Sequence, residues 1–341
     1  MSIVGAFDVH RRQLTFEYLD TVTGELKRGR VAPADRAHLR QWLARFAGRG
    51  DVHFALEGCT GWRYVVEELL AAGIEPHLAE PADTAALRGR KRHAKTDKTD
   101  ARHLRVHLLA GDLPECWIPP GHVLEARAVV RLYKDLLDER GAWHQRIAAT
   151  LFHQGVPAIG TMARPEGRAA VAGVALSAAG RQAVETGLRQ VDRLTAELEP
   201  LRRQLDMISR RQPGCRALRA TQFGVGAVTS VAIWAELGDV RRFPSSSDVV
   251  RHTGLDITVH SSDGKGPPGR LSRQGPQLLR WALYESAKCA ARPAAPDHGY
   301  YAAARDRRTA GLATLSVARK LARRCYHTLR ELGEEALAPA A

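Results

Sequence analysis

A single aspartate inside an apolar strand pattern does most to limit the folds open to this chain. Ile3-Val4-Gly5-Ala6-Phe7-Asp8-Val9 reads as a buried strand, and a charge there is costly without a partner. Leu14, Phe16 and Tyr18 recur at period two and give a second strand. Thr23-Gly24 signals a turn, and a third strand runs to about Val31. Pro33-Ala34-Asp35 opens a helix through Leu39, Trp42, Leu43 and Phe46. Val52 to Leu56 is a fourth strand ending at Glu57, followed by a helix from about Gly61 to Ala72. Ile74 to Leu78 is a fifth strand, and Pro81 starts more helix. A three-strand meander followed by alternating helix and strand predicts a mixed sheet covered by helices, an α/β domain.

Pro114 to Gly121 is the clearest boundary. A long helical pattern then runs to about Gln154, and another starts near Ala179. In the second, Val184, Leu188, Val191, Leu194, Leu198, Leu201, Leu205 and Ile208 are spaced by threes and fours, a coiled-coil-like seam. Packing of the two helices within one chain and dimerisation both satisfy that seam. Pro200 is expected to kink or split its helix. From Pro213 the pattern is mainly helical again, with helices through Val231 to Trp234, Leu278 to Ala291 and Thr314 to Leu332. Phe223-Gly224-Val225-Gly226 forms a turn whose N–H groups can meet a phosphate. Ser245-Ser246-Ser247 reads as a helix N-cap region, and residues 260–275, rich in Ser, Gly and Pro, read as a loop. The expected organisation is therefore an α/β domain over 1–114, a helical coiled-coil connector over 120–211 and a mainly α domain over 212–335.

Four acids fall at the ends of the α/β elements. Asp8 closes the first strand and Glu57 the fourth, while Asp97 and Asp100 lie in Lys95-Thr96-Asp97-Lys98-Thr99-Asp100-Ala101. The i, i+3 spacing puts the last two on one helical face. Singly, each has a plainer role: a turn residue, a hydrogen-bond acceptor for the next helix, an N-cap and a first-turn acid. Together they form an oxygen-only donor set, which favours Mg²⁺ or Mn²⁺ over zinc. Two such ions about 4 Å apart serve phosphodiester chemistry.

The partner class follows from charge. The 341-residue chain carries a formal net charge of +14, a surface that attracts polyanions, nucleic acid first among them. Arg88, Arg90, Lys91, Arg92 and Lys95 run directly into the acidic pair. Cations for a phosphate backbone beside acids for a metal are what a metal-dependent site on a polyanion needs. Arg270, Arg273 and Arg280 are further candidate phosphate contacts, and Arg319, Lys320, Arg323 and Arg324 make a basic face on the last helix. The five cysteines are scattered, without a C-x-x-C pair, which fits a reduced cytosolic protein without structural zinc. The N-terminus shows no signal-peptide pattern, and no apolar run is long enough to span a membrane.

At these residues the sequence resembles a known family. Gly5-Ala6-Phe7-Asp8-Val9-His10, Leu56-Glu57-Gly58-Cys59-Thr60-Gly61 and Lys95 to Ala101 resemble the DEDD motif of insertion-sequence transposases with a RuvC-like (RNase H-like) domain. The likeness continues through Arg146-Ile147 to Gly155, Gly224-Val225-Gly226, Phe243, Gly254-Leu255, Gly269-Arg270-Leu271-Ser272, Gly275 and Leu279-Arg280. It implies a RuvC-like fold for the first domain and metal ligation by Asp8, Glu57, Asp97 and Asp100. It also implies a catalytic serine in the last domain that attacks a DNA phosphate and forms a covalent protein–DNA intermediate. By its distance from Gly254-Leu255 that serine maps to Ser262 in His260-Ser261-Ser262-Asp263-Gly264. Ile257 stands where the family often has proline, and Asp263 intervenes before the glycine, so Ser261 remains a second candidate. The resemblance further implies donor and target DNA as substrates, a bridge RNA from the same element as guide, synapsis by a dimer or tetramer, and action on the bacterial nucleoid in the cytoplasm.

A serine hydroxyl is a poor nucleophile at neutral pH and needs a base or metal to activate it. Metal held by the acids of the other domain would meet that need. Two other readings compete with the serine recombinase. One is a RuvC-like nuclease that cuts with metal-activated water. The other is a basic nucleic-acid-binding protein whose acids are structural.

Overall fold

The computed structural model describes residues 2–87, 97–160, 162, 164–258 and 270–339. The chain divides into two compact units, Met1–Ile118 and Pro119–Ala341.

The first unit is built on five strands: β1 (Ile3–Val9), β2 (Leu14–Asp20), β3 (Leu26–Val31), β4 (Val52–Glu57) and β5 (Glu75–Ala79). Their order in the sheet is β3-β2-β1-β4-β5. β1, β2 and β3 form an antiparallel meander, whereas β4 runs parallel to β1 and β5 parallel to β4. The mixed sheet expected from the sequence is present. α1 (Arg36–Leu43), α2 (Trp62–Ala71), α3 (Pro81–Leu87) and α4 (Asp97–Ala110) accompany it. Asp35 starts α1 by accepting the backbone N–H of His38, the cap its type predicts.

The pleat sorts the side chains between two faces. Ile3, Phe7, Phe16, Tyr18, Phe54 and Leu56 join Trp42, Phe46 and Leu69 in one core. Phe7 stacks on Phe54 at 4.9 Å between ring centroids, and Phe16 meets Trp42 at 4.5 Å. Each such pair adds about 1 kcal/mol beyond its buried area. Gly5 makes room for this cluster, since a Cβ there would lie 2.3 Å from the Phe54 ring. The opposite face is small: Val4, Ala6, Ala55 and Ala79 pack under Leu104 and Leu108 of α4. The three alanines let α4 lie close to the strands. Asp8 and Glu57, two residues on from Ala6 and Ala55, therefore open on the α4 side.

The second unit is helical: α5 (Gly121–His153), α6 (Pro165–Ala172), α7 (Ala178–Arg211), α8 (Pro213–Thr221), α9 (Ala227–Leu237), α10 (Ser246–His252), α11 (Gln277–Ala287), α12 (His298–Arg307) and α13 (Ala310–Leu332). α5 and α7 run antiparallel along each other, with Ile147 against Gly187 and Arg140 reaching Thr195. The seam residues Val184, Val191, Leu194, Leu198 and Leu205 are buried in this intramolecular hairpin. α7 continues through Pro200 as one helix, so of the expected kink or split there is no split. Proline costs one backbone hydrogen bond and a local clash, and the long apolar seam on both sides holds the helix together.

Two further expectations are corrected. The stretch 260–275 is not all loop, because β7 (Arg270–Leu271) pairs antiparallel with β6 (Ile257–Thr258). The Gly224 turn is a packing device. Gly224 adopts φ +86, and a Cβ there would stand 2.4 Å from the Ser286 carbonyl. The N–H groups of Val225 and Gly226 are taken up by Gln222 O and Thr229 Oγ1. Ser245 caps α10 as expected, accepting from Ser247 N and pairing with Asp248. Among the described residues no helix is long and apolar enough to cross a membrane.

Candidate active site

Phe7 pairs with Leu56 across the parallel β1–β4 ladder. Asp8 and Glu57 follow side by side at the carboxyl ends of their strands. With Asp100 of α4 they line one cavity of about 970 Å³, together with His10, Arg11, Cys59 and Tyr64. The strands and the helix thus bring Asp8, Glu57 and Asp100 to one place, and the side chain of Asp97 lies outside the described residues. Asp97 begins α4 one turn before Asp100.

The surroundings of Asp8 are polar. Its carboxylate is within 2.9 Å of His10 Nε2. Thr15 stands directly opposite Asp8 on the β1–β2 ladder, and its Oγ1 is buried without a hydrogen-bond partner. Tyr64 contributes a second such hydroxyl at the cavity. Burial, then the neighbouring Glu57 and Asp8 carboxylates, pushes the Cys59 thiol up. Burial also pushes the Tyr64 hydroxyl up. Without a metal both groups are held in their protonated forms at neutral pH. Carboxylates and hydroxyls supply most of the donors at the cavity, beside His10 and Cys59, and oxygen donors suit a hard divalent cation. Among the described residues no three His, Cys, Asp or Glu side chains already converge on a single metal-binding point.

α4 is fixed in place by charge as well as by the alanine floor. Glu17 of β2, paired with Ala6, is 2% exposed. It accepts from Arg105 Nε at 2.8 Å and from Arg28 Nε at 2.5 Å. Arg105 lies five residues beyond Asp100. Thr15, Glu17, Tyr64 and Arg105 did not stand out in the sequence. For Thr15 the signal was available: the hairpin register sets it against Asp8.

In the second unit, the segment on either side of residues 259–269 is tightly bound. Ser261 and Ser262 lie outside the described residues, as do Arg88, Arg90, Lys91, Arg92 and Lys95. Gly254 has φ +65, and a Cβ there would meet Gln274 O at 2.2 Å. Gly275 has φ +106, and its Cβ would meet His252 O at 2.0 Å. Both positions need glycine for conformation and for space. Arg280 Nη1 donates to the carbonyls of Thr253 and Gly275 at 3.1 and 3.2 Å. Arg319 Nε donates to Leu255 O at 2.6 Å. Arg273 adopts φ +54 and donates its N–H to Gly254 O. Arg280 and Arg319 thus clamp the backbone at the base of the serine segment. Burial lowers the pKa of both. On α13, Lys320 and Arg324 both bind Asp297. Arg270 lies in β7.

Comparison with known proteins covers both units. The DEDD transposase family model of the IS110 group, described as "Transposase", matches residues 5–153. A model described as "Transposase IS116/IS110/IS902 family" matches residues 216–302. The chain is 26% identical over 246 residues to a protein of Pseudomonas aeruginosa named as a probable family 20 transposase, covering 70% of this chain and 71% of that one. It is 22% identical over 274 residues to the transposase for insertion sequence element IS1111A of Coxiella burnetii, covering 76% of this chain and 71% of the relative.

Proposed function

Since the chain is an insertion-sequence transposase of the IS110 group, we propose that it cuts and rejoins DNA through a serine nucleophile assisted by the carboxylate cavity. The observation that carries this reading is the shared cavity of Asp8, Glu57 and Asp100. The strand order β3-β2-β1-β4-β5, with a meander followed by two parallel strands, supports an RNase H-like (RuvC-like) first domain. On this reading residues 1–114 form the DEDD domain, 120–211 the coiled-coil connector and 212–335 the serine-bearing domain.

The groups that would hold a divalent cation, Mg²⁺ or Mn²⁺ and in one or two copies, are Asp8, Glu57, Asp97 and Asp100. When bound, it supplies Lewis-acid polarisation of a phosphodiester oxygen and neutralises developing charge. The chain's own residues do the rest. His10 orients the Asp8 carboxylate through its 2.9 Å contact. Glu17 and Arg105 hold α4, and with it Asp100, against β1 and β2. Ser262 Oγ attacks the DNA phosphorus. A serine–phosphate bond forms, the bond to the leaving sugar oxygen breaks, the serine proton passes to solvent and the leaving oxygen gains one. Attack by a second DNA hydroxyl on the phosphoserine reverses these changes, restores the serine and joins the new strand. The glycine interlock and the Arg280 and Arg319 clamps hold the ends of the serine-bearing segment.

The substrates on this reading are donor and target DNA. Arg88, Arg90, Lys91, Arg92, Lys95, Arg270, Arg273 and Arg280 supply phosphate contacts, in accord with the net charge of +14. A bridge RNA from the same element guides the choice of site, and two or four copies of the chain assemble the synapse on the bacterial nucleoid.

The test is an assay for an SDS-resistant protein–DNA adduct with Mg²⁺, the element's RNA, and labelled donor and target. Loss of the adduct in Ser262→Ala and Asp8→Asn, with retention in Ser261→Ala, supports the reading. Cleavage without adduct, indifferent to both serines, replaces it with hydrolysis by water.

A further inference from the structure

A second cavity, of about 450 Å³, lies inside the helical unit among α5, the end of α9 and the first turn of α11. That is within the range of about 300–1,000 Å³ for small-ligand pockets. It is lined by Arg131, Lys134, Asp138, Glu236 and Trp281. None of these belongs to the carboxylate cavity or to the clamp at the serine segment.

The lining combines three features. Trp281 is half-buried, with the Lys134 ammonium 5.3 Å from its ring centroid and also paired with Asp138. Glu236 is 3% exposed, yet it borders the cavity. It accepts from Arg131 Nη2 at 2.8 Å and faces Arg127 Nε at 3.9 Å. A carboxylate that deep is tolerated only with such partners. The cavity is thus lined by the Trp281 indole, with Lys134 at one approach to its ring, and by the Glu236–Arg131 pair.

Charge decides what fits. Asp135, Asp138 and Glu236 outnumber Arg131 and Lys134 at the lining, so a phosphate is not the natural occupant. A neutral, flat heterocycle is. Every nucleobase has a π face to lay on an indole. Every nucleobase also carries at least one N–H donor and one acceptor on its Watson–Crick edge. Glu236 can take the former and Arg131 can meet the latter.

We propose that this cavity receives one unpaired nucleobase of the nucleic acid on which the protein acts, stacked on Trp281 with its edge toward Glu236 and Arg131. The proposal rests on the nucleic-acid reading above. It assigns the base to a pocket apart from the phosphate-directed arginines.

The experiment uses the full chain and a DNA duplex with one unpaired 2-aminopurine and a distant fluorescein. Fluorescein anisotropy reports binding, and 2-aminopurine emission reports stacking. The expected result is a loss of 2-aminopurine emission on binding, from stacking of the base on the indole. In Trp281→Leu, anisotropy should still report binding while the quenching is lost. Trp281→Phe should retain part of the quenching, which separates loss of the ring from loss of the fold. Binding without quenching in the wild type overturns the pocket and leaves the nucleic-acid reading standing. Quenching that persists in Trp281→Leu also overturns the pocket. Absence of binding overturns both.

Discussion

Arg105 of α4 donates Nε to the buried carboxylate of Glu17 on β2 at 2.8 Å, 88 residues apart in sequence. This ion pair, with Arg28 on its outer side, joins the helix that carries Asp97 and Asp100 to the hairpin that carries Asp8. Removing one partner of a buried pair costs about 3–5 kcal/mol. Because Arg28 stays beside Glu17, Arg105→Met is expected near the low end, at about 3 kcal/mol, in urea denaturation. DNA cleavage should fall further than the folded fraction does, since α4 loses its anchor on the acid side. Unchanged cleavage in a folded Arg105→Met protein would show that α4 needs no such anchor.

Asp8→Asn separates function from stability. The substitution keeps shape and removes one of several negative charges that share a cavity. Thermal stability should hold or rise. Metal-dependent cleavage should fall on the order of a thousandfold, the several kcal/mol that a lost metal ligand costs in the transition state. Equal loss of melting temperature and activity would instead mark Asp8 as structural.

Gly275→Ala tests the base of the serine segment. Its φ of +106 and the 2.0 Å approach to His252 O leave no place for a Cβ. Strain of this kind costs about 1–3 kcal/mol, and the steric contact adds to it. Melting of the second unit should fall by several degrees. A neutral effect would mean that the backbone at Gly254 and Gly275 parts without cost.

His252 makes stability depend on pH. Burial first, then the Arg242 charge, lowers its pKa to about 4, against about 6.5 in the unfolded chain. Between these values the unfolded chain binds more protons than the folded one, so stability rises with pH. The contribution is complete above about pH 6.5 and declines as pH falls toward 4. Its full size is up to about 3 kcal/mol at 1.36 kcal/mol per pH unit. Denaturation at pH 5 and pH 7 should therefore differ less in His252→Gln than in the wild type. An identical difference would assign the pH dependence to other groups.

The sheet was legible because its signals are local. Alternation in Leu14–Tyr18, the apolar runs at β1 and β4, and Pro33 to Asp35 each act within a few residues. The same alternation places Asp8 and Glu57 opposite the aromatic face, so their meeting was readable once the strands were. The rest depends on long-range contact. Nothing near Glu17 indicates that Arg105 will reach it, and nothing near Trp281 indicates Glu236. At Pro200 the split is the half of the expectation that fails, because the seam packed on α5 continues on both sides of it. Gly224, Gly254 and Gly275 were visible as glycines, but their reasons are carbonyls of Ser286, Gln274 and His252 brought up by tertiary packing.

The most direct measurement is mass spectrometric mapping of the residue that carries nucleotide in the trapped protein–DNA adduct. A phosphodiester-linked nucleotide on Ser262, formed by wild type and absent from Asp8→Asn, is the expected result. Nucleotide on any other residue, or an adduct that forms equally well without the Asp8 carboxylate, would contradict the joint action of the serine and the acidic cavity.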